Sequence, residues 1–467
     1  MSLAEVVKAV GGSLQGSSPP TQPAPDSVSI DTRTLRRGQM FVAIRGDRFD
    51  GHDFIKEALG KGASLVLASK ADPGWNELMQ PGCDLILVSD TLAALQQLAS
   101  HVRRKWGRTV LAVSGSMGKT TTRRFAARLL SEKFRVLETP GNLNNEIGLP
   151  LSLLGLEAEH DLAVLELGMN RAGEIRRLGA ICAPNAALLT NIAPVHLEFF
   201  EGVDDIARAK GEILESLSEE GVFFFNCDDA RLVRLADGFK GKRISFGFSK
   251  DAAARVEKFQ FLDPGSTELT LRTSAGPLRG KVPFAGRHFL YNLAAAVAVA
   301  HEFGVPLDEI VSALPDLAPL EGRGRLLNGA EIAVWDDCYN SNPAAVASLM
   351  ETMGLIERNG RIVLALGDML ELGERAEELH REAGRQVAAS RIDYLIAVGG
   401  LARQIAEGAR QHGFPEDRVL EFETSQDSAA RIRSLLQPGD LLVVKGSRDV
   451  RMEKIVEAAL ESREEME

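Results

Sequence analysis

A short segment with two glycines, residues 115–121, has the residue types that bind phosphate. It follows an apolar strand pattern at Val110 to Val113 and precedes a helical pattern that runs to Leu130. In such a loop the backbone amides at a helix N-terminus bind phosphate, a lysine reaches the terminal phosphates, and the next hydroxyl ligates Mg²⁺. The strict P-loop pattern has an earlier glycine where this chain has Val113. The segment predicts an ATP site made of Gly115, Ser116, Met117, Gly118, Lys119, Thr120 and Thr121.

Three side chains further along the chain add to this site only when they are considered together. Glu166 ends an apolar strand pattern, and side chains at the carboxyl ends of parallel strands face the ligand crevice. His196 follows another strand and loop, and Lys210 lies in a helical stretch. Singly, they are typical of a strand-end carboxylate, a hydrogen-bonded loop histidine and a solvated helix lysine. Their order after the glycine loop makes them candidates for catalysis and metal binding.

The elements around these residues alternate between strands and helices, which predicts parallel sheets covered on both faces. We predict a three-domain α/β fold, with a small N-terminal α/β substrate domain (1–89), a central P-loop ATPase domain (90–318) and a Rossmann-like doubly wound C-terminal domain (319–467). An antiparallel flap is expected between Ala254 and Phe284, and a hinge between Pro315 and Gly324. The last domain carries no G-x-G-x-x-G, so no dinucleotide fingerprint is present.

Composition excludes several other classes of protein. The chain has 467 residues, of which 45% are hydrophobic and 25% charged, as in ordinary globular proteins. A net charge of −11 without a basic stripe argues against nucleic-acid binding. The apolar run from Leu293 to Ala300 is too short to span a membrane, and no secretory leader is evident. Four scattered cysteines without a C-x-x-C fit buried thiols in a reducing cytoplasm.

Several motifs together resemble the Mur ligases of peptidoglycan synthesis, a family in which the first P-loop glycine is also missing. The resemblance rests on the glycine loop, Glu166, the stretch from Asn191 to Glu198 with His196, and Ala209-Lys210-Gly211-Glu212. Further stretches resemble the branch that adds D-alanyl-D-alanine to a UDP-linked tripeptide. They are Asp31-Thr32-Arg33, Phe49 to Phe54, Gly141 to Asn145, Asp336 to Asn340, Gly367 to Gly373 and Lys445-Gly446-Ser447-Arg448.

The resemblance implies an ATP-dependent ligase of cytoplasmic cell-wall precursor synthesis that works through an acyl phosphate. Its partners would be UDP-N-acetylmuramoyl-tripeptide and D-alanyl-D-alanine, with no nucleic acid and no stable membrane insertion, and we expect a monomer. Lys119 would hold the γ-phosphate, and Thr120 and Glu166 would ligate one Mg²⁺. His196 would serve a second Mg²⁺ site, and Lys210 would carry a carbamate, an oxygen ligand that suits a hard cation.

The resemblance also implies contacts to ATP and to the two other substrates. Asn292 falls where the family contacts adenine, and Arg325 and Asp337 fall where the C-terminal domain reaches ATP. Both of the latter belong to doublets, so Arg323 and Asp336 stay open as alternatives. His380 is a further candidate near the dipeptide. The substrate-binding candidates are Asp31, Thr32, Arg33, Asn142, Asn144, Asn145, Tyr339 and Asn340.

Two other functions compete with this interpretation. One is a sister ligase that adds a single third amino acid to the precursor, although the Asp-Asn-Pro-Arg sequence of the diaminopimelate-adding relatives is absent. The other is a regulatory protein that binds nucleotide but has lost turnover. The presence of all five of the residues Lys119, Thr120, Glu166, His196 and Lys210 argues against such a loss.

Overall fold

The structure is a computed structural model that describes residues 1–16, 18–76, 78–79, 82–195, 198–329, 331–357 and 360–461. Its helices and strands form three sheets, in agreement with the predicted α/β class. The chain divides into two compact units, one comprising residues 1–113, 134–187 and 211–222, the other residues 114–133, 188–210 and 223–467. The proposed domain limits at 89/90 and 318/319 stay a prediction. Among the described residues, no helix is long and apolar enough to cross a membrane.

The first sheet has five strands in the order β1-β5-β4-β3-β2, parallel except for the β1–β5 pair. Its strands are β1 (Ser13–Gln15), β2 (Val28–Ser29), β3 (Met40–Val42), β4 (Leu65–Ala68) and β5 (Asp84–Leu87). Its helices are α1 (Leu3–Val10), α2 (Ile55–Gly60), α3 (Pro73–Asn76) and α4 (Thr91–Trp106). Met40 and Val42 enter the cluster with α1 and α4, whereas Phe41 enters the cluster with α2. This period of two places one apolar core on each face of the sheet.

The second sheet has nine strands in the order β14-β13-β12-β11-β10-β9-β6-β8-β7. They are β6 (Thr109–Ser114), β7 (Val136–Glu138), β8 (Leu162–Glu166), β9 (Ala186–Leu189), β10 (Val222–Asn226), β11 (Lys242–Gly247), β12 (Ala254–Asp263), β13 (Ser266–Thr273) and β14 (Gly276–Val282). The helices are α5 (Lys119–Leu130), α6 (Gly148–Leu154), α7 (Glu174–Cys182), α8 (Val203–Gly211), α9 (Ala230–Gly238), α10 (Arg287–Glu302) and α11 (Leu307–Ala313).

The segment expected to form an antiparallel flap lies at one end of this sheet. Strands β12, β13 and β14 are antiparallel to one another, as predicted. However, β12 also pairs in parallel with β11, through Phe246 with Ala254 and Gly247 with Arg255. The predicted antiparallel segment is therefore joined to the rest of the sheet through β11, a strand whose few apolar residues do not indicate it in the sequence.

The third sheet has six strands in the order β15-β16-β20-β17-β18-β19. They are β15 (Arg325–Asn328), β16 (Ala333–Asp337), β17 (Ile362–Gly367), β18 (Tyr394–Val398), β19 (Val419–Phe422) and β20 (Leu441–Lys445). Only β15, at the edge, runs antiparallel to its neighbour. The helices are α12 (Pro343–Leu355), α13 (Ala376–Ala388), α14 (Ala402–Gln411), α15 (Ser425–Leu435) and α16 (Glu453–Leu460).

Candidate active site

The glycine loop joins β6 to the N-terminus of α5, as the sequence predicts, and its glycines are required by close contacts. Gly115 has φ of 139°, and a Cβ atom there would lie 2.0 Å from Thr190 Oγ1. Gly118 has φ of 76°, and its Cβ would lie 2.4 Å from Asn292 Oδ1. Only glycine combines a left-handed backbone with so little space. The backbone of the loop therefore packs directly against Thr190 and Asn292, with no space for a side chain at either glycine.

A second loop, residues 190–193, holds the glycine loop in place. Ser116 donates its backbone N–H to Asn191 O at 2.9 Å, and Met117 N–H donates to Asn191 Oδ1 at 3.0 Å. Thr190 Oγ1 donates to Met117 O at 2.6 Å, and Ala193 N–H donates to Ser116 Oγ at 2.9 Å. Sequence reasoning missed these supports, although their position just after β9 was a usable signal. The bonds preorganise the loop for its ligand.

Lys119 lies at the start of α5 and turns back over the loop. Its Nζ donates to Gly115 O at 3.0 Å and to Ser116 O at 3.3 Å. Thr120 follows it and is buried, and Thr122 Oγ1 donates to Asn292 Oδ1 on α10 at 3.2 Å. The ammonium group, the hydroxyl and the helix N-terminus thus occupy the positions that a phosphate cradle requires.

We expect Gly118→Ala to destabilise the protein more than the same change at Gly413. Both glycines have positive φ, but nothing lies within 4 Å of a Cβ at Gly413. Gly413→Ala should cost about 1–2 kcal/mol of backbone strain. Gly118→Ala adds a contact with Asn292 worth about 1–3 kcal/mol and should also weaken ATP binding. Urea unfolding and nucleotide titration measure both. Asn292→Ala should partly rescue Gly118→Ala, and equal losses at the two glycines would contradict the steric explanation.

Lys210 is buried near the end of α8, with 1% of its surface exposed. Loss of water contact, together with repulsion from the Lys119 ammonium, lowers the pKa of Lys210 well below its ordinary value. The prediction of a solvated helix lysine is therefore excluded. His196, the other candidate in this part of the sequence, lies outside the described residues, as does Leu197.

Glu166 is the last residue of β8, and 1% of its surface is exposed. Its Oε1 accepts a hydrogen bond from Asn144 Nδ2 at 2.8 Å, and its backbone N–H donates to Thr139 Oγ1 at 2.9 Å. Asn145 Oδ1 accepts from Gly148 N–H at 2.8 Å at the start of α6. The predicted Gly141–Asn145 segment is thus attached to the strand end that carries Glu166, with Asn144 as the direct link.

The donor types agree with Mg²⁺, which prefers oxygen ligands and retains several waters. Glu166 offers a buried carboxylate and Thr120 a buried hydroxyl. Within the part of the chain that the structure describes, no group of three or more His, Cys, Asp and Glu side chains could hold a metal ion.

The Asp31-Thr32-Arg33 segment has one exposed charged side chain, that of Arg33. The Arg33 guanidinium, 87% exposed, pairs with Asp31 Oδ2 at 2.6 Å and holds the pKa of that carboxyl below its usual range. Thr32 is buried, and its backbone O accepts from Lys61 Nζ at 2.8 Å. Arg33 is therefore the cation of this segment that faces a solution ligand.

The two aspartates at the end of β16 have different surroundings. Asp336 is buried and accepts backbone N–H groups from Gly322 at 2.8 Å and Cys338 at 3.3 Å, so it fixes the hinge loop. Asp337 Oδ2 accepts from Lys445 Nζ at 2.7 Å, and burial raises the pKa of Asp337. Lys445 also donates to Asn340 O at 3.0 Å.

The two hinge arginines also differ. Arg325 is exposed at the start of the edge strand β15. The Arg323 guanidinium lies 3.9 Å from the Tyr339 ring centroid, and its charge acts to lower the pKa of Asp337 against the larger effect of burial. His380, by contrast, is fully buried, with Nε2 accepting from Met369 N–H at 2.9 Å and Nδ1 2.6 Å from Ala376 O. His380 therefore supports the Gly367–Gly373 loop from within.

Comparison with known proteins agrees with this arrangement over the whole chain. Three family profiles match in order, "Mur ligase family, catalytic domain" at residues 26–103, "Mur ligase middle domain" at 113–300 and "Mur ligase, glutamate ligase domain" at 322–448. These three profiles, matched in this order, define an ATP-dependent ligase. The chain belongs to the Mur ligase family.

Individual relatives are more specific. The chain is 35% identical over 470 residues to UDP-N-acetylmuramoyl-tripeptide–D-alanyl-D-alanine ligase of Escherichia coli, covering 99% of each chain. It is 34% identical over 438 residues to the ligase of that name from Bacillus subtilis, covering 93% of each. The crystal structure of MurF from Acinetobacter baumannii has a TM-score of 0.88 at 31% identity, covering 99% of each chain. MurF of Thermotoga maritima in complex with ADP has a TM-score of 0.81 at 28% identity, covering 93% of this chain and 97% of that one.

Proposed function

We propose that this protein joins D-alanyl-D-alanine to UDP-N-acetylmuramoyl-tripeptide and converts ATP to ADP and phosphate. The observation that carries the proposal is 35% identity to a ligase of that name, spread over 99% of both chains. The glycine loop with Lys119 supports the use of ATP, since it has the preorganised geometry of a phosphate cradle. In this function the product is a precursor of the bacterial cell wall, and four unpaired cysteines suit a reducing cytoplasm.

The reaction has two steps in this proposal. The terminal carboxylate of the tripeptide attacks the γ-phosphorus of ATP, forming an acyl phosphate and releasing ADP. The amine of D-alanyl-D-alanine then attacks the acyl carbon, and an amide forms as phosphate leaves and the amine loses a proton. Lys119 and the loop amides neutralise charge on the transferred phosphoryl group. The chain's main contribution is to position and to stabilise charge.

We propose Thr120, Glu166, His196 and Lys210 as positions that serve two Mg²⁺ ions. When bound, Mg²⁺ neutralises charge on the phosphate oxygens and orients them. Lys210 supplies a buried amine whose lowered pKa favours the neutral form. A neutral amine adds CO₂ to give a carbamate and a proton, which would turn the buried amine into an oxygen ligand. Glu166, held by Asn144, supplies a fixed carboxylate.

We also propose substrate contacts for the remaining candidates. Asn292 is assigned to adenine and Asp337 to the nucleotide, while Asp336 is needed by the backbone of the hinge. The UDP end is assigned to the first sheet, and the peptide groups to the segments after β7 and β16, with the protein acting as a monomer. The residues in these assignments are Asp31, Thr32, Arg33, Asn142, Asn144, Asn145, Tyr339 and Asn340.

For the second nucleotide contact we favour Arg323 over Arg325, because Arg323 lies against the Tyr339 ring and its charge acts on Asp337, whereas Arg325 is exposed at the start of β15. We expect Arg323→Ala to raise the KM for ATP about tenfold or more, the effect of losing one charged hydrogen bond. Arg325→Ala should change it less than about twofold, as for most exposed side chains. Initial rates at saturating concentrations of the other two substrates give both values. The reverse order of effects would return the role to Arg325.

The proposed function is tested by phosphate release with ATP, Mg²⁺ and UDP-linked tripeptide. Turnover that requires D-alanyl-D-alanine, and is absent with single amino acids, would support it. Turnover with a single amino acid would instead identify a sister ligase. An inactive but nucleotide-binding protein would identify the regulatory alternative.

A further inference from the structure

The motif that contains Lys210 ends in a buried carboxylate, Glu212, which the proposed function does not use. We propose that Glu212 is a positioning residue, which fixes the turn that carries Lys210 to the loop that follows Glu166. This inference rests on the proposed function, because Lys210 and Glu166 are there assigned to Mg²⁺. It gives a reason for the burial of an acidic side chain so close to Lys210 in the chain.

The Glu212 carboxylate caps the N-terminus of helix α7, where the chain itself has a glycine. Gly173 precedes α7 with φ of 85° and has no side chain that could accept a hydrogen bond. Glu212, which is 7% exposed, fills this role. Its Oε1 and Oε2 accept from Gly173 N–H at 2.9 and 3.0 Å, and Oε2 also accepts from Arg176 N–H at 3.1 Å. Because a carboxylate satisfies free N–H groups and suits the helix dipole, Glu212 is firmly attached to the start of α7.

The two segments that Glu212 joins each carry a residue assigned to Mg²⁺. Gly211, the last residue of α8, alone separates Glu212 from Lys210. On the other side, Glu166 ends β8, and a single loop leads from it to Gly173 at the start of α7. A shift of the Glu212 backbone would therefore displace Lys210 as well. One carboxylate thus fixes the chain beside both residues.

The 3₁₀ helix that begins at Glu212 lies closely against α7. At Gly179, a Cβ atom would lie 2.4 Å from Ser216 Oγ, so there is no space between the two elements at that point. Arg176 Nε and Nη2 donate to the two Glu215 oxygens at 2.6 and 2.9 Å, but 53% of the Glu215 side chain is exposed. Exposed ion pairs contribute little, whereas hydrogen bonds from backbone N–H groups to a buried carboxylate are strong. Glu212 is therefore the stronger of the two acidic links to α7.

Glu212 acts through the backbone and is not itself a catalytic residue. Both of its oxygens accept from N–H groups at the start of α7. The lowered pKa of Lys210 has other causes, which are burial and the Lys119 ammonium. Preorganised reactions are sensitive to small displacements, since a misplacement of about 1 Å can cost about 100-fold in rate. Loss of the cap should therefore lower the rate of the chemical steps more than the affinity for any substrate.

The main test is Glu212→Gln in the full-length enzyme. Glutamine keeps the size of the side chain but replaces one acceptor oxygen by an NH₂ group, which cannot accept from a backbone N–H. We expect kcat for phosphate release with all three substrates to fall about 10- to 100-fold. The KM values for ATP, UDP-linked tripeptide and D-alanyl-D-alanine should stay within about threefold. A higher KM with unchanged kcat would overturn the inference, because it would place Glu212 in a binding site.

Two control variants separate positioning from general stability. Glu215→Gln makes the same chemical change on the same 3₁₀ helix, and its kcat should stay within about twofold of wild type. Arg103→Lys weakens the opposite end of α7, where Arg103 Nε donates to Cys182 O at 2.8 Å and Nη2 donates to Ala183 O at 2.9 Å. It should lower the thermal midpoint, yet leave kcat within about twofold. A loss of kcat in Arg103→Lys as large as in Glu212→Gln would show a role in stability alone and overturn the inference.

Hydrogen exchange tests the same link without turnover. Backbone amides at the end of α8, residues 206–211, should exchange at least about tenfold faster in Glu212→Gln than in wild type, and at the wild-type rate in Glu215→Gln. Unchanged exchange in this segment of Glu212→Gln would overturn the inference. If the wild-type enzyme does not turn over with D-alanyl-D-alanine, the proposed function fails, and the exchange measurement still decides whether Glu212 fixes the turn of Lys210. The two failures are therefore distinguishable.

Discussion

Replacing Lys119 by methionine is expected to abolish ATP-dependent phosphate release while the protein stays folded. Methionine keeps most of the side-chain volume and removes the charge that would stabilise the transferred phosphoryl group. Loss of such a cation from a phosphoryl-transfer site lowers kcat by about 10³-fold or more. The stability loss should be small, about 1–2 kcal/mol, because the hydrogen bonds from Nζ to Gly115 O and Ser116 O are between partly buried groups and methionine keeps the side-chain volume. Phosphate release and urea unfolding measure the two effects.

The matched control for Lys119→Met is Lys258→Met. Lys258 is an exposed lysine on β12, outside every segment assigned to a substrate. Its replacement makes the same change of charge and should leave turnover within about twofold of wild type. Near-normal turnover in Lys119→Met would place the phosphate site elsewhere. An unfolded Lys119→Met protein would show instead that the lysine is needed to close its own loop.

Replacing Lys210 by methionine is expected to abolish ligation and, at the same time, to stabilise the protein at neutral pH. The expected loss of turnover is about 10²–10³-fold, the effect of removing one preorganised electrostatic contact. The stabilisation arises because the wild-type chain buries an amine that would be charged in water. Removal of a buried, uncompensated amine should therefore lower turnover and raise the free energy of unfolding together.

The pH dependence of this stabilisation has a definite sign. Because the folded-state pKa of Lys210 is depressed, the unfolded chain binds more protons than the folded chain between the folded pKa and the unfolded pKa of about 10.4. The contribution of Lys210 to the free energy of unfolding therefore rises with pH over this window. The advantage of Lys210→Met over wild type should shrink as the pH is raised towards that of an ordinary lysine. Thermal unfolding of both proteins at several pH values, in CO₂-free buffer, measures the difference.

The carbamate proposal adds a second readout for Lys210. Removal of CO₂ and bicarbonate should lower wild-type turnover reversibly, and ¹³C-bicarbonate should give a carbamate carbon signal that Lys210→Met lacks. A smaller replacement, Lys210→Ala, leaves space for a short carboxylic acid, and acetate or formate should restore part of its activity. Wild-type turnover in Lys210→Ala would exclude the carbamate. Insensitivity to CO₂ together with no rescue would leave Lys210 a structural residue.

Elements whose ends and residue types are determined by neighbouring residues could be predicted from the sequence. Helix α4, from Thr91 to Trp106, has both ends fixed by neighbouring residues. The Asp90 side chain accepts from Leu92 N–H and Ala93 N–H, and Gly107 takes the left-handed conformation at the C-terminus. The glycine loop was found for the same reason, since its residue types and its place between strand and helix are local features.

Features that depend on distant partners could not be predicted in this way. Strands β7, β15 and β19 have three or four residues each and are only partly buried, so their sequences carry little period. They are strands because a longer neighbour supplies hydrogen bonds. The support of Met117 by Asn191 joins residues that lie 74 positions apart. The burial of Lys210 likewise depends on packing, and the sequence of α8 alone is typical of a solvated helix.

The Lys119 ammonium group already has hydrogen-bond acceptors within the protein, since it donates to two carbonyl groups of its own loop. Phosphate binding would then exchange these bonds instead of adding new ones, so the net enthalpy gained at this residue is a small difference between similar terms. Attraction between the ammonium charge and the phosphate charges would supply the rest of the binding free energy at this residue. Nucleotide affinity should therefore be sensitive to ionic strength. When the product departs, the ammonium group has acceptors to return to within its own loop.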